Sequence, residues 1–186
     1  MRRKTMVCVA ALLAAGAVNA IELDGGWMLA LDPGNCGKTN GWAAAVRDDA
    51  KPVPVPGVIQ QVYPYDCGVA WYYRRVARPK AGAQERVMLR FGAVDYFCDV
   101  YLGGQKIGSH EGAESPFAFD VTDTLKEDTL LAVRMINPGE EMIEGFTCKT
   151  IPHRNKHDKM EFRPGWCYNT GGIMLPVSLE VVPAVR

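Results

Sequence analysis

The sequence predicts an all-β fold, an antiparallel β-sandwich of the jelly-roll kind. Three observations point there. Period-two alternation of apolar residues recurs along the chain, no segment sustains a helical period over three turns, and each apolar run is short and bounded by Gly, Pro, Asn or Asp. One solvated and one apolar face per strand is the pattern of antiparallel sheets rather than of parallel ones.

The runs follow in order. Trp27, Leu29 and Leu31 alternate first. In "RVMLRF", Val87, Leu89 and Phe91 share one face while Arg86 and Arg90 share the other. Cys98, Val100 and Leu102 come next, with Asp99 and Tyr101 opposite. Then follow Phe117, Phe119 and Val121; Leu131, Val133 and Met135; and Leu175, Val177, Leu179 and Val181. Helix is expected only as single turns, near Val58–Gln61 and Thr122–Leu125, the second capped by Asp120 or Thr122. "YLGGQKIG" reads as strand, Gly-Gly turn, strand, because a two-residue hairpin turn needs positive φ. "HEGAESP" reads as a polar bend ahead of the strand "FAFDV".

At the N-terminus, "MRRKTMVCVAALLAAGAVNA" has a basic start, an apolar run and a Val18-Asn19-Ala20 end like a cleavage site, so residues 1–20 are expected to be a signal peptide. The run is too short to cross a bilayer comfortably, a span that takes about 20 apolar residues. No stable membrane anchor is therefore expected. Residues 21–186 are expected to form one domain in a secreted or periplasmic protein. The chain carries 21 basic and 21 acidic side chains, and loss of the leader would turn the balance slightly acidic. That gives no reason to expect nucleic acid as a partner.

Five cysteines follow the leader: Cys36, Cys67, Cys98, Cys148 and Cys167. An oxidising compartment favours disulfides, and an odd number leaves one thiol over. Cys98, on an apolar face, is the expected buried thiol. Cys148–Cys167 and Cys36–Cys67 are the expected pairs, although spacing alone does not dictate connectivity.

Residues 137–171 show little alternation, and so long a connection is functional, partner-bound or disordered. Within it "RPGWCYN" brings together Arg163, Trp166, Tyr168 and Asn169. Rings that stack on sugar C–H faces beside groups that bond hydroxyls make this a candidate carbohydrate site. The alternative is that Trp166 and Tyr168 cover the end of the core, with the indole N–H finding a partner. Other candidates point less clearly to chemistry. His110 and Glu111 have no nucleophile beside them, and Glu140, Glu141 and Glu144 read as a solvated acidic loop. Cys148, His153, His157 and Cys167 lack the paired spacing of a zinc site, so no metal and no cofactor is expected.

Several motifs together resemble the N-terminal sugar-binding domain of glycoside hydrolase family 2. "VPVPGVIQQ" is similar to the family's V-P-x-x-x-Q segment, and "GVAWYYRRV" to its G-x-x-W-Y-x-R strand. The stretch from Val87 to Leu125 resembles its central block, and "GGIMLPVSLE" its closing strand. The resemblance implies a galactose-binding-like jelly roll that binds carbohydrate in glycan breakdown. It also implies that the paired catalytic carboxylates lie on a separate barrel, so that no catalytic residue is expected here and a catalytic-domain polypeptide is the expected partner. The chain would then be a stand-alone sugar-binding domain, or an accessory part of a β-glycosidase. Gly103 replaces the usual Asn of the central turn, and Ala113-Glu114 replace Gly-Tyr. Pro176 stands where β-galactosidases carry a sugar-contacting Asp, which also leaves open a protein-interaction module that has lost sugar binding.

Overall fold

The computed structural model describes residues 19–151 and 169–184. Among the described residues, ten strands make two main antiparallel sheets. The larger runs in the order β3 (Lys51–Val53), β2 (Trp27–Leu31), β4 (Gly68–Val76), β10 (Thr129–Asn137), β7 (Phe97–Leu102), β8 (Gln105–Glu111). The smaller is ordered β1 (Asn19–Glu22), β12 (Val177–Pro183), β5 (Glu85–Phe91), β9 (Phe117–Asp120). A short ladder joins β6 (Val94–Asp95) to β11 (Gly172–Ile173).

The alternating residues meet between the sheets. Val87, Leu89, Phe91, Val177 and Leu179 from the smaller sheet pack on Leu29, Tyr72, Val100, Leu131, Val133 and Met135 from the larger. Arg86 and Arg90 face solvent, as their alternation requires. Burial of the large side chains supplies the main driving force, roughly 1.5–3 kcal/mol each. Cys98 is fully buried, and burial pushes its thiol up to about 12. Leu175 departs from the expected strand. It lies ahead of β12 and is 49% exposed.

The larger sheet is covered on its outer face as well. A 3₁₀ turn at Trp42–Ala44 and the segment around Ile143–Phe146 pack over Trp71, Tyr73, Tyr101, Ala132 and Ile136. Every residue of β10 is therefore buried, and Tyr101 is too. The strand's apolar run from Leu130 to Ile136, broken only by Arg134, fits this double-sided burial.

Leu102 pairs with Gln105 across a turn in which Gly103 and Gly104 have φ of 55° and 83°. A Cβ costs energy in that left-handed region, so glycine is the fitting residue at both positions. His110 and Glu111 belong to β8 rather than to a bend, and the bend falls after them. A 3₁₀ turn forms at Ile59–Gln61. At 122–125 the chain makes a hydrogen-bonded turn, with Asp120 accepting the Thr122 N–H at 3.0 Å.

The β1 strand pairs with β12, and Ile21 and Glu22 stand opposite Leu179 and Ser178. No helix among the described residues is long and apolar enough to cross a membrane.

Candidate functional site

Arg134 sits in the middle of β10 with no exposed side-chain surface. A buried guanidinium must be paired and hydrogen-bonded to be tolerated. Its cross-strand neighbour on β7 is Asp99, and Nη1 reaches Asp99 Oδ2 at 3.3 Å. The other Asp99 oxygen accepts from Lys106 at 2.5 Å and from Ser109 at 3.0 Å. The second Arg134 nitrogen, Nη2, donates to Asn35 Oδ1 at 2.5 Å and to Glu144 Oε1 at 2.8 Å. Asn35 Nδ2 and Lys38 Nζ also reach Glu144 Oε1, at 3.0 and 2.7 Å.

Burial opposes the charged form of Glu144, but the bonds from Lys38 and Asn35 and the charge of Arg134 outweigh it. Its carboxyl is held below the usual range. Asn35 and Glu144 both have left-handed backbones, with φ of 47° and 51°. That conformation persists in a residue with a Cβ only where the surroundings hold it, and here the two side chains hold each other.

Above this network opens a cleft of about 470 Å³. One wall is the turn Pro33–Asn35, the second is Cys67–Val69 at the start of β4, and the third is the loop 139–144. The first wall is fixed by Asp32, which is buried. Its carboxylate accepts the N–H groups of Cys36 and Gly37, each at 2.8 Å, and the indole N–H of Trp71 at 3.0 Å. The third wall is fixed by Glu144. Of the supposed solvated cluster, Glu144 is thus an anchor, while Glu140 lies 3.8 Å from Lys149. The cleft presents carboxylates, an amide and backbone groups, a surface suited to hydroxyl-rich ligands.

Of the carbohydrate candidates, Arg163, Trp166 and Tyr168 lie outside the described residues. Asn169 is described and is 2% exposed. Its backbone oxygen accepts from Gln60 Nε2 at 3.2 Å and from Asn137 Nδ2 at 3.5 Å. Its own Nδ2 donates to the Pro138 carbonyl at 3.2 Å. Gln60 Oε1 accepts the Gly171 N–H at 3.3 Å. Asn169 therefore pins the chain where it re-enters the sandwich. Pro176 is also used structurally, its carbonyl accepting the Gly92 N–H at 2.9 Å.

Glu111 accepts the Tyr96 hydroxyl at 2.8 Å, and the His110 ring stacks on Phe117 with centroids 4.0 Å apart. Both belong to packing. Cys36 is exposed, Cys67 is half-buried, and no disulfide joins them. Cys148 is buried, while its expected partner Cys167, like His153 and His157, lies outside the described residues. Sequence reasoning missed Arg134, Asp32 and Asn35. The one available signal was a lone arginine inside "LLAVRMI".

Comparison with known proteins gives this architecture a family. A β-glucuronidase of Paenibacillus borealis is 26% identical over 176 residues, covering 83% of this chain and 30% of that protein. A β-glucuronidase structure from an uncultured Clostridium species superimposes with a TM-score of 0.71 at 27% identity, covering 89% of this chain and 29% of the other. The Lactobacillus rhamnosus β-glucuronidase gives a TM-score of 0.72 at 25% identity, over 89% and 29%. The chain thus spans about 30% of the length of these relatives. Residues 60–176, including the Gln60 clamp and Arg134, match the family described as glycosyl hydrolase 2 galactose-binding domain-like, and the chain belongs to that family.

Proposed function

We propose that this protein is an exported carbohydrate-recognition domain that serves glycan breakdown beside a family 2 catalytic barrel. The observation that carries this reading is the family match over residues 60–176 on a sandwich that superimposes on β-glucuronidases. Those relatives are named for acting on β-glucuronides, so glycans bearing terminal glucuronic acid are the first ligands to test. In this reading the chain is accessory to a polypeptide that hydrolyses O-glycosyl bonds, and the reacting carboxylates belong to that polypeptide. Arg163, Trp166 and Tyr168 remain the proposed sugar contacts, whereas Asn169, buried and bonded to Pro138, seats the chain beside them. The firm seating of Asn169 by Gln60, Asn137 and Pro138 supports a fixed platform at that end of the sandwich.

A glycan-array screen of the full chain, beside a folded Trp166→Ala, Tyr168→Ala double variant, tests the proposal. Specific binding lost in the double variant is expected. A well-folded wild-type chain that binds no glycan would sink the reading. A protein-interaction module is the second reading, favoured by the exposed Leu175 next to Pro176, where β-galactosidases carry a sugar-contacting Asp. Capture of a defined barrel-bearing polypeptide without glycan binding would decide for it.

A further inference from the structure

We propose that the cleft above Arg134 is a subsite for an uncharged hexose, gripped through two adjacent hydroxyls by Asn35 and Glu144. The inference rests on the carbohydrate-binding reading and adds recognition by residues other than Arg163, Trp166 and Tyr168. Arg134, Asn35 and Lys38 all donate to the same Glu144 oxygen, Oε1. Among the described residues, Oε2 accepts from none. Asn35 Nδ2 spends one of its two N–H groups on that contact, at 3.0 Å. Its second N–H and Glu144 Oε2 are therefore a neighbouring donor and acceptor, carried by two residues that line the cleft. A vicinal diol is their complement, one hydroxyl donating to the carboxylate and the next accepting from the amide.

Both groups are set before a ligand arrives. Arg134 Nη2 bonds Asn35 and Glu144 together, and Nη1 is fixed by Asp99. A ligand then binds without the cost of ordering these side chains. The cleft also has an apolar part for the C–H face of a pyranose. Met142 lines it and is 71% exposed, and Pro33 lines the opposite wall. The volume of about 470 Å³ lies within the range of small-ligand sites, roughly 300–1,000 Å³.

Charge selects against acidic sugars. Glu140 and Glu141 line the cleft with Glu144. Glu140 has Lys149 at 3.8 Å, whereas Glu141 has no cation within ion-pair distance among the described residues. A uronate entering here meets that uncompensated charge, and its carboxylate has no proton to give Glu144.

The full chain, with methyl-labelled methionine and labelled amides, would be titrated by NMR with methyl β-D-glucopyranoside and with methyl β-D-glucuronide. The two differ only in a hydroxymethyl group against a carboxylate. Saturable shifts of the Met142 methyl and of the Gly68 and Glu144 amides are expected with the glucoside. The glucuronide should bind about 3-fold or more weakly at low salt, and Glu141→Gln should shrink that gap. Met142→Ala, followed on the amides, should weaken glucoside binding about 3- to 10-fold. Glu141 and Met142 are both exposed, so these variants keep the fold. The folded Trp166→Ala, Tyr168→Ala variant should retain the Met142 shift. No saturable shift at Met142, glucuronide binding as tight as glucoside, or a Met142 shift lost in the double variant would each overturn the inference. Glycan-array binding that depends on Trp166 and Tyr168 would leave the wider reading standing in those cases, and a folded wild-type chain that binds no glycan would remove both.

Discussion

Arg134 and Asp99 face each other directly across β10 and β7, closing an ion pair of 3.3 Å in which neither side chain is more than 3% exposed. Removing one partner strands a buried charge, which costs far more than the pair contributes net. Arg134→Met is expected to lower stability by about 3–5 kcal/mol in urea titrations. An Arg134→Met, Asp99→Leu double variant should recover much of that loss. If the double variant is no better than the single one, the arginine is not held chiefly by Asp99.

Glu144 is the more exposed end of the same network, at 29%. Its folded carboxyl is held below its ordinary range, so its contribution is present above the unfolded value of about 4.3 and fades as pH falls through the lower folded one. Wild type should therefore lose stability in acid more steeply than Glu144→Gln. Parallel curves for the two proteins below pH 5 would contradict this.

His110 is stacked on Phe117, and burial lowers its folded value below the usual 6.5. Its neutral form suits the fold. The associated stability is complete above the unfolded value of about 6.5 and declines as pH falls toward the folded one. A His110→Phe variant should show less decline between about pH 7 and 5 than wild type, measured as the urea midpoint. An unchanged pH slope would mean that His110 does not titrate with folding.

Asp32→Ala leaves two backbone N–H groups and the Trp71 indole N–H without their acceptor. A loss of about 2–4 kcal/mol is expected, with a shift in tryptophan emission.

Gly104→Val places a β-branched residue at φ of 83° in the two-residue turn. The expected cost is about 1–3 kcal/mol, and Gly104→Asn should cost less, because Asn tolerates this region better. Equal stability of the Val variant in thermal melts would show that the turn is not what sets the hairpin register.

Much of the sandwich is legible in the sequence because alternation reports one-sided burial. Val87, Leu89 and Phe91, and the Gly103–Gly104 turn, follow from local rules alone. The double-sided burial of β10 does not, since its cover comes from Trp42–Ala44 and Ile143–Phe146, distant in sequence. For the same reason Glu144 reads as solvated until folding brings Arg134, Asn35 and Lys38 around it. Asp32 is hidden as well, because a carboxylate before Pro-Gly-Asn looks like an ordinary turn residue and only the fold delivers Trp71 to it. His110 and Glu111 look like a bend beside Gly112, and pairing with Cys98 and Phe97 draws them into β8.

Asn137 and Asn169 bond across the base of the segment between them, one amide reaching the Asn169 carbonyl and the other the Pro138 carbonyl. The excursion from 138 to 168 thus departs and returns at one knot. The closure entropy of a flexible loop grows only with the logarithm of its length, about 0.6 kcal/mol per doubling. The sandwich is therefore a frame with a cassette port. Inserts of quite different length and chemistry can be exchanged ahead of Asn169, provided that Glu144 and the Ile143–Phe146 cover over β10 are kept, giving relatives or engineered variants new recognition surfaces while the β-scaffold stays as it is.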